Sequence, residues 1–377
     1  MLFEIHMLKN YPPVNLNRDD SGAPKTCYFG GWQRGRISSQ CLKRSWRTSD
    51  LFKQLGSVGM RTRRMPEEVA KLLREQGMGE EFVEHAQKML TGIANKDGKE
   101  NTKGNYTEQI VIYSPEDIAR LAKAVQDAVA EDGDIKTFKN RKAKDFVKMV
   151  DGAQTRPITA DIALFGRMVT SECFRDVDAA MQVAHAISTH AVSRESDYFT
   201  AVDDLLKEDE VGAGMMGDVD FNSCCYYEYA ALDTDQLREN LRYTPDCDEL
   251  VDKLVPALIR TMTMTNPSGK QNTFAGQVFP AFIMIECKRD KIPLSYVNAY
   301  EEPASAYGRG IVVSSIDKLV EHVNLMDKTY ELPVEHRVWL APKSGNAALE
   351  KGEKAASFPA MLDAIGAWVK EDKACNS

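Results

Sequence analysis

The placement of helix-forming and strand-forming segments constrains the fold of this chain more than any other feature of its sequence. Residues 66–154 are dense in helix formers and predict three helices, two of which begin at a proline, over 66–76, 80–93 and 115–130. Segments with β character lie on both sides of this stretch, at 2–8, 183–190, 224–229 and 278–287. Strands separated by helices, with one all-helical insertion, predict an α+β sheet domain that carries appendages.

The amino-terminal region and the carboxyl-terminal half complete this prediction. The first strand is expected to end at Tyr11-Pro12-Pro13, and residues 30–36 are expected to form a loop. Ser38 or Ser39 is a suitable N-cap for a helix that continues to Arg47. Further helices are predicted over 236–241, 249–261 and 315–324.

The composition excludes several classes of protein. The longest uninterrupted apolar run, 281–285, is far shorter than the roughly 20 residues that a membrane-spanning helix needs. The first residues lack the basic start and apolar run of an export signal, because Glu4 and His6 interrupt the apolar residues. The 8 cysteines form no C-x-x-C pair, which argues against a disulfide scaffold and a zinc ribbon. We expect a cytoplasmic protein with reduced thiols and no membrane partner.

Charge is distributed unevenly along the chain, which has a net charge of −8. Between residues 25 and 64 the sequence has ten basic residues and a single acidic residue, Asp50. A second basic cluster, residues 136–148, has six basic residues and one acidic residue, Asp145. The first cluster is too uniform for local neutralisation and indicates an anionic partner. For the second cluster, a solvated helix face is an equally good interpretation.

The segment 34–47 has the properties of a clamp for a sugar-phosphate chain. The N-terminus of its predicted helix supplies N–H groups, and Ser38, Ser39 and Gln40 add neutral donors. Lys43, Arg44 and Arg47 add positive charge, while Leu42 and Trp46 face a core. Such a surface binds phosphates without reading bases, so its affinity should depend strongly on salt concentration.

Residues 193–220 are expected to form a long hairpin that contains aromatic residues. Tyr198, Phe199 and Val202 are candidates to wedge or stack against single-stranded bases. Packing in the core is an alternative of comparable weight.

Other motifs do not support a cofactor or a metal. The G-x-G-x-x-G pattern at 212–217 lacks the preceding apolar strand and following helix of a dinucleotide site, and the chain has no P-loop motif. His185 and His190 are better interpreted as hydrogen-bonded histidines than as metal ligands with Cys224-Cys225. The acid pairs Asp203-Asp204 and Asp218-Val-Asp220 lack a matching constellation and are better interpreted as solvated loop acids.

Six ordered sequence blocks resemble a known family, the CasC backbone subunits of type I-E CRISPR Cascade complexes. The blocks are Asn15-Leu-Asn-Arg-Asp-Asp20, Phe29-Gly-Gly31, Arg36-Ile-Ser-Ser-Gln40 with Lys43-Arg44, Asp161-Ile-Ala-Leu-Phe-Gly-Arg-Met168, Ala184-His-Ala-Ile-Ser-Thr-His190 and Asp197-Tyr-Phe-Thr-Ala-Val-Asp-Asp204. The likeness covers residues 1 to about 230 and continues more loosely through Lys270-Gln-Asn-Thr-Phe274, whereas the chain from Ile292 onward departs from it.

The resemblance implies a hand-shaped fold with an RRM-like, ferredoxin-like palm, a helical finger insertion and a β-hairpin thumb. The palm is expected to comprise 1–65, 155–190 and 221–377, the finger 66–154 and the thumb 191–220. This palm lacks the aromatic strand signature of common RRM domains.

The resemblance also implies the binding residues. Met168 is expected to pack on guide bases, and Phe199, Thr200 and Val202 to form a thumb tip that enters the guide held by a neighbouring copy. The expected RNA-binding residues are Lys25, Arg36, Ser38, Ser39, Gln40, Lys43, Arg44, Arg47, Met168, Tyr198, Phe199, Thr200, Val202 and Lys270. The expected DNA-binding residues are Lys136, Lys139, Arg141, Lys142, Lys144 and Lys148.

The expected function is that of a non-catalytic, RNA-binding backbone subunit in antiviral defence. It polymerises along the CRISPR RNA (crRNA) as a helical homo-oligomer and presents the guide for pairing with target DNA. The expected further partners are a large subunit, a small subunit, a subunit that caps the repeat-derived handle and a crRNA endonuclease subunit. One alternative is a type III-like subunit that cleaves target RNA with a metal ion and Asp203, Asp204 or an acid of 17–20. Another is a single-strand RNA binder that acts alone.

Overall fold

A computed structural model describes residues 1–95, 97–150, 152–169, 171–201, 215–343, 345 and 347–376. The side chains of residues 148, 153 and 373–376 lie outside this description. The strands are β1 (Leu2–Val14), β2 (Thr26–Phe29), β3 (Trp32–Ile37), β4 (Met60–Thr62), β5 (Val111–Tyr113), β6 (Met181–Val183), β7 (Ala186–Ser188), β8 (Glu195–Ala201), β9 (Met215–Asp233), β10 (Phe282–Lys288), β11 (His336–Leu340) and β12 (Glu353–Lys354).

Thirteen helices are present in the described part of the chain. They are α1 (Ser39–Thr48), α2 (Asp50–Lys53), α3 (Met65–Glu75), α4 (Glu80–Leu90), α5 (Pro115–Asp132), α6 (Ile135–Phe138), α7 (Ala143–Met149), α8 (Ala160–Phe165), α9 (Thr234–Leu241), α10 (Cys247–Met264), α11 (Gln271–Phe274), α12 (Ile311–Tyr330) and α13 (Phe358–Asn376). Two 3₁₀ segments lie at Ala153–Thr155 and Tyr296–Tyr300. The helices predicted at 66–76, 80–93, 115–130, 236–241, 249–261 and 315–324 are confirmed as α3, α4, α5, α9, α10 and α12.

The chain divides into two compact units. The first unit comprises 1–52, 182–233 and 255–377, and the second comprises 53–181 and 234–254. The predicted finger, 66–154, lies wholly within the second unit. The predicted α+β class is confirmed by the large sheet and the helices described here.

The first unit is built on a sheet with the strand order β12-β11-β10-β1-β9-β7-β3-β2. Strand β1 is central and pairs antiparallel with both β9 and β10. Chain order through β1, α1, β7, β9, α10 and β10 follows the β-α-β-β-α-β connectivity of ferredoxin-like folds. The hairpin formed by β8 and the start of β9 lies in the segment that is predicted to be the thumb, and every residue of β8 is exposed.

Strand β1 does not end at the two prolines, as the sequence predicts, but continues to Val14. The pairing register with β9 shifts between Tyr11 and Val14, and Pro12 and Pro13 are exposed at the shift. A bulge leaves the prolines, which have no N–H to donate, outside the ladder of hydrogen bonds. The prediction that the first strand ends at the prolines is therefore wrong, because the bulge allows β1 to continue past them.

The prediction of a loop over residues 30–36 is also wrong. Thr26–Phe29 and Trp32–Ile37 form a two-stranded hairpin in which Phe29 pairs with Trp32. Gly30 and Gly31 occupy the turn with positive φ angles of 59° and 80°, the backbone that a two-residue hairpin turn of this kind requires. A Cβ atom at Gly30 would lie 1.9 Å from the Glu301 carbonyl oxygen, so only glycine fits there.

The sheet of the first unit contains a buried network of charges. Glu4 and His6 on β1 are fully buried, as is Glu286 on the neighbouring strand β10. Arg337 donates to Glu286 Oε1 at 2.7 Å and to Asp327 Oδ2 at 2.6 Å, and Lys288 forms an ion pair with Glu4. Although burial alone would raise the pKa of Glu286, interactions with His6, Arg337 and Lys288 lower it.

In the second unit, buried side chains of α3, α4 and α5 form a hydrophobic core together with Phe138 and Phe146. The predicted all-helical insertion also contains a strand, β5, which pairs antiparallel with β4 just before the insertion begins. Ser114 and Asp117 form a capping box at the start of α5, and Asp117 binds Arg156 and Arg167 at 2.8 and 2.6 Å. Burial would raise the pKa of Asp117, but the charge of Arg167 and the hydrogen bonds from Ser114 and Arg167, together with the charge of Arg156, outweigh this effect, so the pKa is lowered.

Candidate nucleic-acid interface

Helix α1 begins as the sequence predicts. The Ser38 side chain accepts a hydrogen bond from the Cys41 N–H at 3.3 Å, and the Ser38 N–H donates to Asn17 Oδ1 at 2.9 Å. These contacts fix the start of the helix against the loop that follows β1. Ser38 and Ser39 are buried, and the Ser38 hydroxyl is engaged as the cap, so of the three predicted neutral donors Gln40 alone is exposed.

The residues of α1 separate onto three faces at about 100° per residue. Leu42 and Trp46 are buried, as the sequence predicts. The four polar residues of α1 that are predicted to face a nucleic acid lie within an arc of about 100° on another side of the helix. We call this set the basic face; it consists of Gln40, Lys43, Arg44 and Arg47. Arg44 and Gln40 are exposed, while Lys43 and Arg47 are half-buried. Cys41, Ser45 and Thr48 form the third face.

Other elements bring further cations to the same place. Arg36 on β3 contacts His185 Nδ1 at 3.0 Å, and its Nε donates to the Thr26 carbonyl. Burial lowers the pKa of His185, and the charges of Arg36, Lys25 and Lys43 lower it further. Burial raises the pKa of the Cys41 thiol, an effect that Lys25 and Arg44 oppose. Lys25, Arg36, Lys43 and Arg44 therefore converge around one region of the first unit.

His185 also belongs to this region, where it is hydrogen-bonded, as the sequence analysis predicts, but the sequence analysis does not include it among the RNA-binding residues. Its exposed ring lies beside three cations, where it accepts from Arg36 when neutral. His185 comes close to Arg36 because β3 pairs with β7. This pairing joins segments that are distant in the sequence, so the spacing of residues along the chain does not reveal it. His190 has a different role, because its Nδ1–H donates to the Ala191 carbonyl and its Nε2 accepts from the Cys225 N–H.

Arg34 is counted in the first basic cluster, but its side chain does not contribute to the interface. It is fully buried and donates to the carbonyl oxygens of Phe29, Ser188, Tyr300 and Glu301. Arg34 therefore fastens the β2–β3 hairpin to the sheet.

The predicted thumb residues are presented to solvent. Tyr198 is 60% exposed and Phe199 is 36% exposed, so neither ring is part of the core. Phe199 lies opposite Gly217, and a Cβ at that glycine would approach its ring to 2.9 Å. Thr200 is exposed and pairs with Met216, which is also exposed. Val202 lies outside the described residues, as do Gly212 and Gly214 of the G-x-G-x-x-G pattern.

Two other predicted RNA-binding residues are accessible. Met168, in the second unit, is 92% exposed, an unusual value for a large apolar side chain. Lys270, in the first unit, precedes α11 with a left-handed backbone at φ 50°. The structure leaves the roles of both residues as predictions.

The second basic cluster, residues 136–148, surrounds the short helices α6 and α7. Phe138 and Phe146 anchor this segment in the core, while the predicted DNA-binding residues Lys136, Lys139, Lys142 and Lys144 are exposed. Arg141 differs from them, because it binds Asp132 at 2.6 Å and Glu131 at 2.7 Å, and these contacts raise its pKa. Its charge is already neutralised. The Lys148 side chain lies outside the described residues.

The structure describes some of the acidic residues that the sequence analysis considers as metal ligands or catalytic groups. Asp203 and Asp204 lie outside the described residues, and Asp220 forms an ion pair with Arg194 at 3.6 Å. Asp19 Oδ1 accepts from the Ser21 N–H, the Ser21 hydroxyl and the Ala23 N–H, and the hydrogen bond from Ser21 is the largest cause of its lowered pKa. Within the described ranges, no three side chains of His, Cys, Asp or Glu are grouped so that they would hold a metal ion. In the same part of the chain, no helix has the length and apolarity needed to cross a membrane.

Comparisons with known proteins place the chain among CRISPR-associated proteins. A chain of a solved structure described as "CRISPR RNA-guided surveillance complex, pre-nicking" is 29% identical, with a TM-score of 0.83, and the match covers 98% of this chain and 100% of that chain. A chain of a "CRISPR RNA-guided surveillance complex" is 26% identical, with a TM-score of 0.73, and the match covers 97% of this chain and 99% of that chain. A search of curated proteins finds no match. The model of the CT1975-like protein family matches residues 3–367, and the chain therefore belongs to this CRISPR-associated family.

Proposed function

We propose that this chain is a guide-RNA-binding backbone subunit of a type I-E Cascade effector and that it polymerises along the crRNA. The observation that carries the proposal is the convergence of Lys25, Arg36 and the basic face of α1 around one region of the first unit. Long cationic side chains on one surface neutralise phosphates, and this binding does not depend on base sequence. A guide must be bound in this way, because its sequence is read by base pairing.

The two solved structures that contain similar chains are described as RNA-guided surveillance complexes, which supports crRNA as the partner of this chain. In this proposal, Tyr198, Phe199 and Thr200 of the exposed thumb contact the guide on a neighbouring copy, and Met168 packs on guide bases. The exposed lysines of residues 136–148 contact target DNA. The remaining partners are the large, small, handle-capping and endonuclease subunits of the complex, which acts in the cytoplasm in antiviral defence.

The basic face can be tested through the salt dependence of RNA binding. Replacing Lys43, Arg44 and Arg47 by alanine should reduce the slope of log affinity against log salt concentration by ~2 units, because each phosphate contact contributes about 0.7 on single strands. The measurement is fluorescence anisotropy with labelled single-stranded RNA over a range of salt concentrations.

A matched control removes three exposed lysines from the second unit, Lys71, Lys103 and Lys123. The net charge changes equally in both variants, so the control should keep the slope of the unaltered protein. An unchanged slope in the α1 variant would show that these side chains are not on the RNA.

One observation favours a second candidate function, a metal-dependent subunit that cleaves target RNA. Asp19 and Asp20 line a cleft that Arg44 also lines, so carboxylates lie beside the proposed RNA track. We propose that the subunit is non-catalytic, and expect labelled RNA complementary to the guide to stay intact when it is incubated with the assembled complex and magnesium. Cuts at regular spacing, abolished when Asp19 and Asp20 are replaced by alanine, would establish the alternative.

A further inference from the structure

A cleft of about 520 Å³ lies beside the basic face of α1 within the first unit. The loop 16–22 forms one wall, the third face of α1 with Arg44 forms the second, and Ser268-Gly269 completes the lining. The backbone of Gly269 is packed tightly there, since a Cβ atom on it would lie 2.2 Å from the Leu16 carbonyl oxygen. Arg44 belongs both to the basic face and to the cleft, so the two surfaces are continuous.

The charge in the cleft differs from that on the basic face. Arg18 and Arg44 are balanced by Asp19 and Asp20, so the charged side chains of the lining carry no net formal charge. A phosphate that binds the basic face is attracted, whereas a phosphate inside the cleft would approach two carboxylates. The basic face is therefore the more favourable place for a phosphate, and the cleft the more favourable place for an uncharged group of the same strand.

The two hydroxyl groups on the α1 wall of the cleft, those of Ser45 and Thr48, are available as acceptors and not as donors. Ser45 donates its hydroxyl hydrogen to the Cys41 carbonyl at 2.9 Å, and Thr48 donates to the Arg44 carbonyl at 2.8 Å. A hydroxyl has a single hydrogen, so each of these oxygens has only lone pairs left for a ligand. Together with the carboxylates of Asp19 and Asp20, they give the cleft a surplus of acceptors next to Arg44.

We propose that this cleft receives the ribose of the bound strand and that Asp20 accepts a hydrogen bond from its 2′-hydroxyl, which makes the subunit selective for RNA over DNA. This inference rests on the proposed function, since it requires a strand whose phosphates lie on the basic face. Asp20 fits the role because it is exposed at the cleft, whereas Oδ1 of Asp19 already accepts three hydrogen bonds. The 2′-hydroxyl is the donor that RNA has at every nucleotide and DNA lacks.

The test compares three labelled oligonucleotides of equal length and base sequence on the full chain: oligouridylate, its 2′-deoxy form and its 2′-fluoro form. The fluoro sugar keeps an RNA-like pucker but has no hydroxyl hydrogen, so it separates hydrogen bonding from strand shape. The unaltered protein should bind the RNA about ten-fold more tightly than either analogue, the factor expected for one charge-assisted hydrogen bond.

Asp20→Ala should reduce this preference to below about two-fold, and Asp20→Asn, which keeps a neutral acceptor, should give an intermediate value. Asp363→Ala, which removes an exposed carboxylate from α13 of the same unit, should keep the full preference. Because the readout is a ratio of two affinities, a general change in affinity caused by the lost charge does not affect it.

Three outcomes overturn the inference and leave the proposed function intact: tight binding with equal affinity for RNA and DNA, 2′-fluoro binding equal to RNA, or a preference that Asp20→Ala does not reduce. Failure of the unaltered chain to bind any of the three oligonucleotides would overturn the proposed function itself, and the inference with it.

Discussion

Replacing Arg34 by methionine is expected to lower the free energy of unfolding by about 4 kcal/mol, because the carbonyl oxygens that this guanidinium binds lose their donor in a buried site. The side chain donates to Ser188 at 3.2 Å, to Tyr300 at 2.7 Å and to Glu301 at 3.1 Å, and methionine fills a similar volume without a polar hydrogen. Urea denaturation followed by circular dichroism measures the change.

Arg36 provides the matched control, since it lies two residues further along the same strand and is only half-buried. Arg36→Met should change the free energy of unfolding by less than about 1 kcal/mol, as is usual for a partly exposed position. Equal effects of the two substitutions would contradict the assignment of Arg34 as the residue that fastens the hairpin.

Replacing Arg337 by methionine should lower the free energy of unfolding by a similar amount, about 4 kcal/mol at neutral pH, because it removes the cation that two buried carboxylates share. Arg337 binds Glu286 and Asp327, which are both buried. Arg337 is one of the interactions that lower the pKa of Glu286, so its loss raises that pKa relative to the folded unaltered protein.

The pH dependence of this variant has a definite sign. Glu286 of folded Arg337→Met binds its proton at a higher pH than Glu286 of the folded unaltered protein, so acidification costs the variant less stability. The difference in stability between the variant and the unaltered protein should therefore shrink as the pH falls. Adding Asp327→Asn to the variant should recover part of the loss at neutral pH. A loss that is independent of pH would indicate a packing defect and not an unpaired charge.

Local signals explain why the helices could be predicted from the sequence. Helix α5 begins at Pro115 with a Ser114–Asp117 capping box and ends at Gly133, which has a left-handed backbone with φ 71°. Start and stop signals of this kind act over a few residues, so they do not depend on the rest of the fold.

The sequence contains a signal for the β2–β3 hairpin, although the sequence analysis predicts a loop over residues 30–36. Gly30-Gly31 between two short strands is a two-residue hairpin turn. Trp32 to Ile37 nevertheless resembles a solvated loop, because it contains two glutamine or arginine residues before Gly35 and a further arginine after it. The buried position of Arg34 depends on the carbonyl groups of Tyr300 and Glu301, which no local pattern around residue 34 indicates.

The candidate site was predicted in part. The order of residues along α1 is sufficient to place Lys43, Arg44 and Arg47 on one side of a capped helix, because helical geometry relates neighbours in sequence. Arg36 and His185 meet only because β3 pairs with β7, and the cleft beside Arg44 exists only because residues 268–269 pack on the loop after β1. Pairings between distant segments are determined by the sheet as a whole.

Strand β9 runs without interruption for 19 residues, from the exposed hairpin into the centre of the sheet. Its last ten residues pair without a break along β1, which lies between β9 and β10. A force that pulls on the thumb along β9 therefore loads many β1–β9 hydrogen bonds in shear at the same time. These bonds do not break one after another, as they would if the strands were unzipped from one end. In the proposed filament, tension would pass through the hairpin into the central strands of each copy without first unfolding its edge strands.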